Sequence, residues 1–454
     1  MLRRLPVRSS PGTFLAVLMS VLMFPAALPG SGPSTQGEQD SGQPAQASPE
    51  SRTDAWLKKR QERALEAKPR QLSGFERRML WIEKGGFSEV MNFNFRGLYP
   101  KFSSLSNGSG FAPGVRFGLS NQWGAHLDFQ SSAALSTRGY RRIDLQIGRI
   151  QHHGQAFSLE AIGTGPVSQF DESRPKNAGL FLYADLRYRY YPQEDYFGLG
   201  PDSRREDRTN YLIEDAMYDL VNGWQINRWV GIAARVGAYK AHLGRGTDDR
   251  FPDIRELFDD TTAPGLDFQP WFFHATGALL LDNRDRPGNP HKGGMLGFSF
   301  SRFEDTSSQQ FDFNRATIDG REFIPLGSEQ RILALRFFTL FDAPRGGSRI
   351  PYYLQRTLGG SETLRGFREF RFMDNNLMFL SAEYRWEPAA VVELALFYDA
   401  GKAFPRRSDF GFSHLEHSYG IGIRFKTPNA VIMRLDIGRS REGQRLFFQF
   451  GPSF

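Results

Sequence analysis

The chain has 454 residues, 41 of them Phe and 47 Gly, with a formal net charge of +7 and no cysteine. The lack of cysteine excludes disulfides, thiolate metal sites and a lipid-anchored N-terminal cysteine. The basic excess is scattered among apolar residues, with no stripe or module of the kind that binds nucleic acid, and the eight histidines form no ligand-spaced cluster, so neither nucleic acid nor a metal or other cofactor is expected.

Residues 1–30 read as a secretory signal peptide. Arg3, Arg4 and Arg8 form a positive start, Phe14 to Phe24 is a short apolar run, and Pro25 to Gly30 supplies small residues for cleavage. The run is too short for an ordinary spanning helix. Residues 31–52 are Ser, Gly, Pro and Gln with little that is apolar, the composition of a disordered linker. Residues 53–86 are charged and helical in pattern, with Trp56, Leu57, Leu65, Met79, Leu80 and Trp81 among Arg, Lys and Glu, and Pro69 divides them. This periplasmic segment could lie on a membrane, touch the mouth of the domain that follows, or act as a charged spacer.

From residue 87 to 454 no window is convincingly helical, and apolar and polar residues alternate with period two. Phe111, Pro113, Val115, Phe117 and Leu119 oppose Ala112, Gly114, Arg116 and Gly118. Leu180, Leu182, Ala184, Leu186, Tyr188 and Tyr190 oppose Asp185, Arg187 and Arg189. About sixteen such segments begin near residues 111, 123, 139, 155, 178, 209, 229, 267, 293, 310, 329, 375, 389, 416, 429 and 443, each long enough for a tilted strand to cross a bilayer. The polar faces carry too many Arg, Asp and Glu for a dry soluble core. Closure with a wet interior and lipid outside satisfies both faces. The expected fold is all-β: a transmembrane antiparallel β-barrel of about sixteen strands. With a periplasmic N-terminus, even connections should be short and odd ones long and external. Asn227-Arg228, Glu387-Pro388 and Thr427-Pro428 are short and even, 344–374 is long and odd, and 164–177 breaks the rule.

In the odd connection lies Leu358-Gly359-Gly360-Ser361-Glu362-Thr363-Leu364-Arg365-Gly366-Phe367. Strand parity turns Glu393, Phe397, Asp399 and Gly401 inward from Val392, Leu394, Leu396 and Tyr398. It turns Glu383 and Arg385 inward from Met378, Leu380, Ala382, Tyr384 and Trp386. At the C-terminus, Leu446, Phe448, Phe450 and the final Phe454 are expected on one face.

These motifs, with 282–294 and Ser418 to Arg424, resemble those of the BamA/TamA-type bacterial surface-antigen barrels of the outer membrane. The match runs from about residue 97 to the C-terminus. The resemblance implies a loop folded into the lumen, with Arg365, Gly366 and Phe367 meeting Asp399 and Glu383. Gly359, Gly360, Leu364, Phe397 and Gly401 complete the loop and strand motifs. It also implies that Phe448, Phe450 and Phe454 form the signal read by barrel-assembly machinery. POTRA domains precede the barrel in many members, and residues 31–86 lack their pattern, so a barrel-only member is expected. The implied role is insertion, assembly or translocation of outer-membrane proteins or lipids. The implied partners are outer-membrane lipid and lipopolysaccharide, unfolded outer-membrane protein clients, and assembly machinery for its own insertion. A second reading is a passive or plugged channel in which Arg116, Arg187, Arg189, Arg235 and Arg424 favour anions. A third, a hydrolase using His414, His417, Asp409 and Ser413, has no specific spacing behind it, and no catalytic residue is expected.

Overall fold

The computed structural model describes residues 97–454 except 104, 107, 123–126, 151–178, 390, 427–430 and 452. The expected signal, linker and charged segment therefore lie outside the described residues. The strands are β1 (Leu98–Ser103), β2 (Ala112–Gln122), β3 (Leu127–Leu135), β4 (Arg141–Arg149), β5 (Gly179–Tyr196) and β6 (Thr209–Gln225). There follow β7 (Val230–Arg245), a one-turn α1 (Ile254–Leu257), β8 (Trp271–Asp282), β9 (Gly293–Asp305), β10 (Phe313–Pro325) and β11 (Arg331–Pro344). The connection after β11 holds β12 (Thr357–Leu358) and β13 (Phe372–Met373). The last strands are β14 (Asn376–Ala389), β15 (Val392–Phe404), β16 (Glu416–Lys426), β17 (Val431–Ser440) and β18 (Gly443–Phe450).

Sixteen of these form one antiparallel sheet in chain order, and β12 and β13 form a separate pair. The sheet is rolled into a barrel. Arg205, between β5 and β6, donates to the carbonyl of Glu442 in the β17–β18 hairpin at 3.1 Å, although the ladder keeps these strands far apart. Among the described residues no ladder joins β1 to β18.

The two faces divide as period-two alternation requires. Leu180, Leu182, Leu396, Tyr419, Ile421 and Leu446 are exposed on the outside. Inside, charges are buried in pairs: Arg235 reaches Asp219 at 2.7 Å and Asp185 at 3.2 Å. Arg315 grips Asp342 with two bonds of 2.7 Å, and Arg189 pairs with Asp215. A wall with apolar side chains outside and neutralised ions inside is the arrangement lipid demands, and the ladder meets the backbone groups of the strands between its two edges.

The sequence-based strand assignment needs two corrections. It misses β1, whose six residues are too few for a clear alternation. It also places a strand from 155, within the undescribed residues 151–178, yet β4 pairs directly with β5 from Arg141↔Tyr190 to Arg149↔Leu182. The two errors cancel in the count but not in direction. Relative to β5 and all that follows, β2, β3 and β4 run opposite to expectation. A third correction concerns the C-terminus. Leu446 and Phe448 stay on the outer face, but Phe454 is buried with Phe323, Ile332 and Ala334. The chain turns inward after β18, so Phe454 leaves the face it was expected to share.

The end of the barrel bearing the long connections is filled. Tyr196, Tyr211, Tyr239, Tyr352 and Tyr353 pack there with Phe272, Phe303 and Phe313 in one buried cluster. Residues near 350–354, which include a turn of 3₁₀ helix at Tyr352–Leu354, supply its centre. Parallel stacking of Phe303 on Phe313, with centroids 4.5 Å apart, continues it onto the inner wall.

The outer face gives a direct test of its solvent. Ile421, on β16, is 54% exposed. On a water-facing surface Ile421→Arg would change stability by no more than about 0.5 kcal/mol. Facing lipid, it should cost about 2–4 kcal/mol near the bilayer centre, measured as a shift in urea-dependent folding into phospholipid vesicles.

Candidate functional site

The connection from β11 to β14 is a folded-back loop whose stem is the β12–β13 pair, Thr357↔Met373 and Leu358↔Phe372. Its tip enters the lumen. Leu364 and Phe367 are fully buried against Leu340, Leu377, Phe379 and Ala403 on the inner walls of β11, β14 and β15. Burying these two side chains offers roughly 1.5–3 kcal/mol each toward holding the tip.

Arg365 is at the end of the tip and is 2% exposed. Its guanidinium donates to Asp399 through Nε at 2.9 Å and Nη2 at 2.6 Å, the two-pronged geometry in which arginine surpasses lysine. Nη1 donates to Glu383. Ser381 Oγ accepts from Nη2 at 3.3 Å and itself donates to Asp399 at 2.7 Å. The guanidinium carbon sits 3.6 Å from the centroid of Phe397, a cation–π contact beneath the charge. Arg365 thus contacts Asp399, Glu383 and Phe397, while Phe367 is seated in the apolar cluster beside them.

Glycine permits the approach. The Gly366 Cα faces β16 and β17 so closely that an added Cβ would lie 2.7 Å from the Arg439 carbonyl group and from Ser418 Cβ. Gly359 has a φ of +114°, open to glycine and strained for other residues. Gly401 sits where Leu358 of the stem crosses β15.

The site is larger than the expected lock. Glu383 also accepts from Arg385 at 2.8 Å, from Arg424 at 3.0 Å and from Ser453 at 3.1 Å. Ser453 brings the inturned C-terminus into the network, and Arg385 lies 5.1 Å from the Phe454 ring centroid. On β17, Arg434 donates to Asp436 at 3.0 Å and to Glu362 of the tip at 2.6 Å. Ser440 donates to the Gly366 carbonyl at 2.7 Å. The inward parity of Arg424, Arg434 and Asp436 was visible in the sequence. Their convergence on Glu383 and the tip was not, because it needs the curvature of the wall. Met378, expected outside, is fully buried.

The residues considered for hydrolysis do not assemble. His417 Nδ1 meets the Tyr398 hydroxyl at 2.6 Å on the outer face, and the carbonyls of Asp409 and Ser413 accept from Lys402.

This constellation can be compared with known proteins. Residues 225–454 match the Omp85 superfamily domain, half of the chain. The chain belongs to the Omp85 superfamily. Omp85 barrels reside in the bacterial outer membrane, and the sixteen-stranded sheet of this chain is a barrel of that superfamily. Among solved structures it is similar in fold to BamA from Haemophilus ducreyi lacking POTRA domains 1-3. Identity is 15% over 79% of this chain and 70% of that one, with a TM-score of 0.55. CdiB from Escherichia coli aligns at 11% identity over 82% of this chain and 70% of that one, with a TM-score of 0.46. No curated protein sequence matches the chain.

Two outcomes are expected of this Omp85 loop. Arg365→Ala strips Asp399 of its buried partner, a change that costs about 3–5 kcal/mol in comparable pairs. Protease cleavage within residues 359–367 should become fast and the folded band on unheated gels should melt at lower temperature. Arg365→Lys should fail to restore either, since one ammonium cannot reproduce the fork.

The second outcome concerns Asp374, between β13 and β14. Burial, with Asp409 nearby, pushes its carboxyl up to about 6. The folded loop therefore favours the neutral acid. Its contribution is complete below the ordinary value of 3.8 and is lost as the pH rises through about 6. Hydrogen exchange in residues 370–376, corrected for intrinsic rate, should be faster at pH 7.5 than at pH 5, and Asp374→Asn should abolish the difference. The same difference in the variant would rule this group out.

Proposed function

We propose that this barrel, with its N-terminus in the periplasm, assists the insertion, assembly or translocation of proteins at the outer membrane by parting at the seam between β1 and β18. The observation that carries the reading is the weakness of that seam. β1 has six residues and β18 eight, against thirteen or more in each of β5, β6, β7 and β9. At about 3.3 Å per residue β1 spans only about 20 Å, short of the bilayer core, and among the described residues neither edge strand pairs with the other. An unpaired edge is a template for another strand.

A steady anion-favouring pore has less support. Arg187 pairs with Asp144, Arg235 with Asp185 and Asp219, and Arg424 with Glu383, so these lumen cations are neutralised. The tyrosine-rich cluster fills the other route through the barrel.

The test is reconstitution in liposomes with an unfolded outer-membrane protein as client. The native chain contains no cysteine, so one cysteine placed within Leu98–Ser103 and one within Gly443–Phe450 make a clean seam lock. The wild type should speed client insertion, the oxidised pair should lose about tenfold or more of that acceleration, and reduction should restore it. Full acceleration with the seam locked would sink the proposal. In planar bilayers the same reading expects low conductance that rises in Arg365→Ala.

A further inference from the structure

A cavity of about 560 Å³ opens at the long-connection end of the barrel, where β18, the β1–β2 connection and β5 converge beside the loop stem. Its walls carry Arg138, Arg208, Arg250, Arg368 and Arg445. Against them stand three carboxylates, Asp195, Asp248 and Glu369. The pairing is uneven. Arg208 and Arg368 share Asp195, at 2.8 and 3.1 Å, and Arg250 holds Asp248 at 2.7 Å. Arg138 donates to the carbonyl of Gly108 at 2.7 Å. Arg445 points inward from β18, between the outward Leu446 and its own hairpin, and its Nε is buried with no hydrogen-bond partner. Among the described residues, neither Arg138 nor Arg445 meets a carboxylate.

A buried guanidinium nitrogen without an acceptor is a costly group to keep. Two guanidinium groups on one cavity that form no ion pair suit a multiply oxygenated anion, which accepts several of their fixed donors at once. The rim identifies the source of that anion. Phe111, Leu446 and Phe448 line the cavity and are also half-exposed on the outer, lipid-facing wall. A free ion in water gains nothing from an apolar lip, whereas an amphiphile fits both parts, its head among the arginines and its chains against Phe111, Leu446 and Phe448.

We propose that this cleft binds the phosphate-bearing headgroup of an anionic lipid at the seam. The proposal deepens the seam reading and takes from it only the membrane placement. Headgroup binding and client insertion are separate readouts, so each can fail alone. A lipid held there would occupy the edge between β18 and the β1–β2 connection and leave when the edges part.

The full chain, folded in a zwitterionic detergent, is titrated with phosphatidylglycerol, with phosphatidylcholine and with inorganic phosphate, and bound molecules are counted by native mass spectrometry. Phosphatidylglycerol should bind at least about tenfold more tightly than phosphatidylcholine. Arg445→Gln should weaken it by about tenfold, the loss of one charge-assisted contact, and Arg445→Lys should recover part of that loss. Arg138→Gln should act in the same direction, which guards against a misfolded Arg445 variant. Arg302→Gln, at an exposed ion pair on β9, should change nothing. Equal phosphatidylglycerol binding by the wild type and both glutamine variants would overturn the proposal. So would inorganic phosphate displacing the lipid mole for mole, which would mark a free-anion site. An acidic peptide that binds with the same Arg445 dependence where lipid does not would overturn it as well.

Discussion

A guanidinium inside a narrow lumen has few places to put its charge. Arg365 reaches its position only because Asp399 and Glu383 are already aimed at that point by the pleat of β14 and β15. The demand also runs the other way. Two carboxylates that are fully buried on neighbouring strands repel each other until a cation is supplied. The loop tip supplies it, and so the strands and the loop specify each other. The surrounding network extends the same logic: four arginines, Arg365, Arg385, Arg424 and Arg434, meet Glu383, Asp399, Glu393, Asp436 and Glu362. Removing any one leaves an ion in a place where water cannot fully replace it.

Much of this was legible in the sequence because a barrel wall reports itself twice. Alternation gives the strands, and parity then sorts every residue to one face, which is how Asp399 and Glu383 could be turned toward Arg365 without coordinates. The loop tip itself came from motif resemblance, since nothing in the spacing of Arg365 says where a thirty-residue connection will fold. Other features escaped, among them three in the strands and at the C-terminus. β1 is too short to alternate visibly. The stretch from 155 lies outside the described residues, and β4 pairs directly with β5 across it. Phe454 continues the period of Leu446 and Phe448 on paper, yet period two holds only while the chain stays in the ladder, and after Phe450 the chain leaves it. Beyond that turn, burial against Phe323 and the hydrogen bonds of Ser453 to the Glu383 network decide the position.

The loop grips the wall by two kinds of contact. The tip is fixed to β14, β15 and β17 by buried ions, Arg365 and Arg434 among them. Toward β5 and the β5–β6 connection the stem makes single polar contacts, beside the buried tyrosine cluster in which residues 350–354 take part. Arg368 meets Asp195 of β5 with its side chain about a third exposed, the kind of contact worth about 0–1 kcal/mol. Arg371 spans the gap directly, with Glu442 of the β17–β18 hairpin at 2.7 Å on one side and the hydroxyl and carbonyl of Ser203 at 2.9 and 2.7 Å on the other. The bond to Glu442 joins two charges and those to Ser203 do not, and charge-assisted bonds are roughly twice as strong.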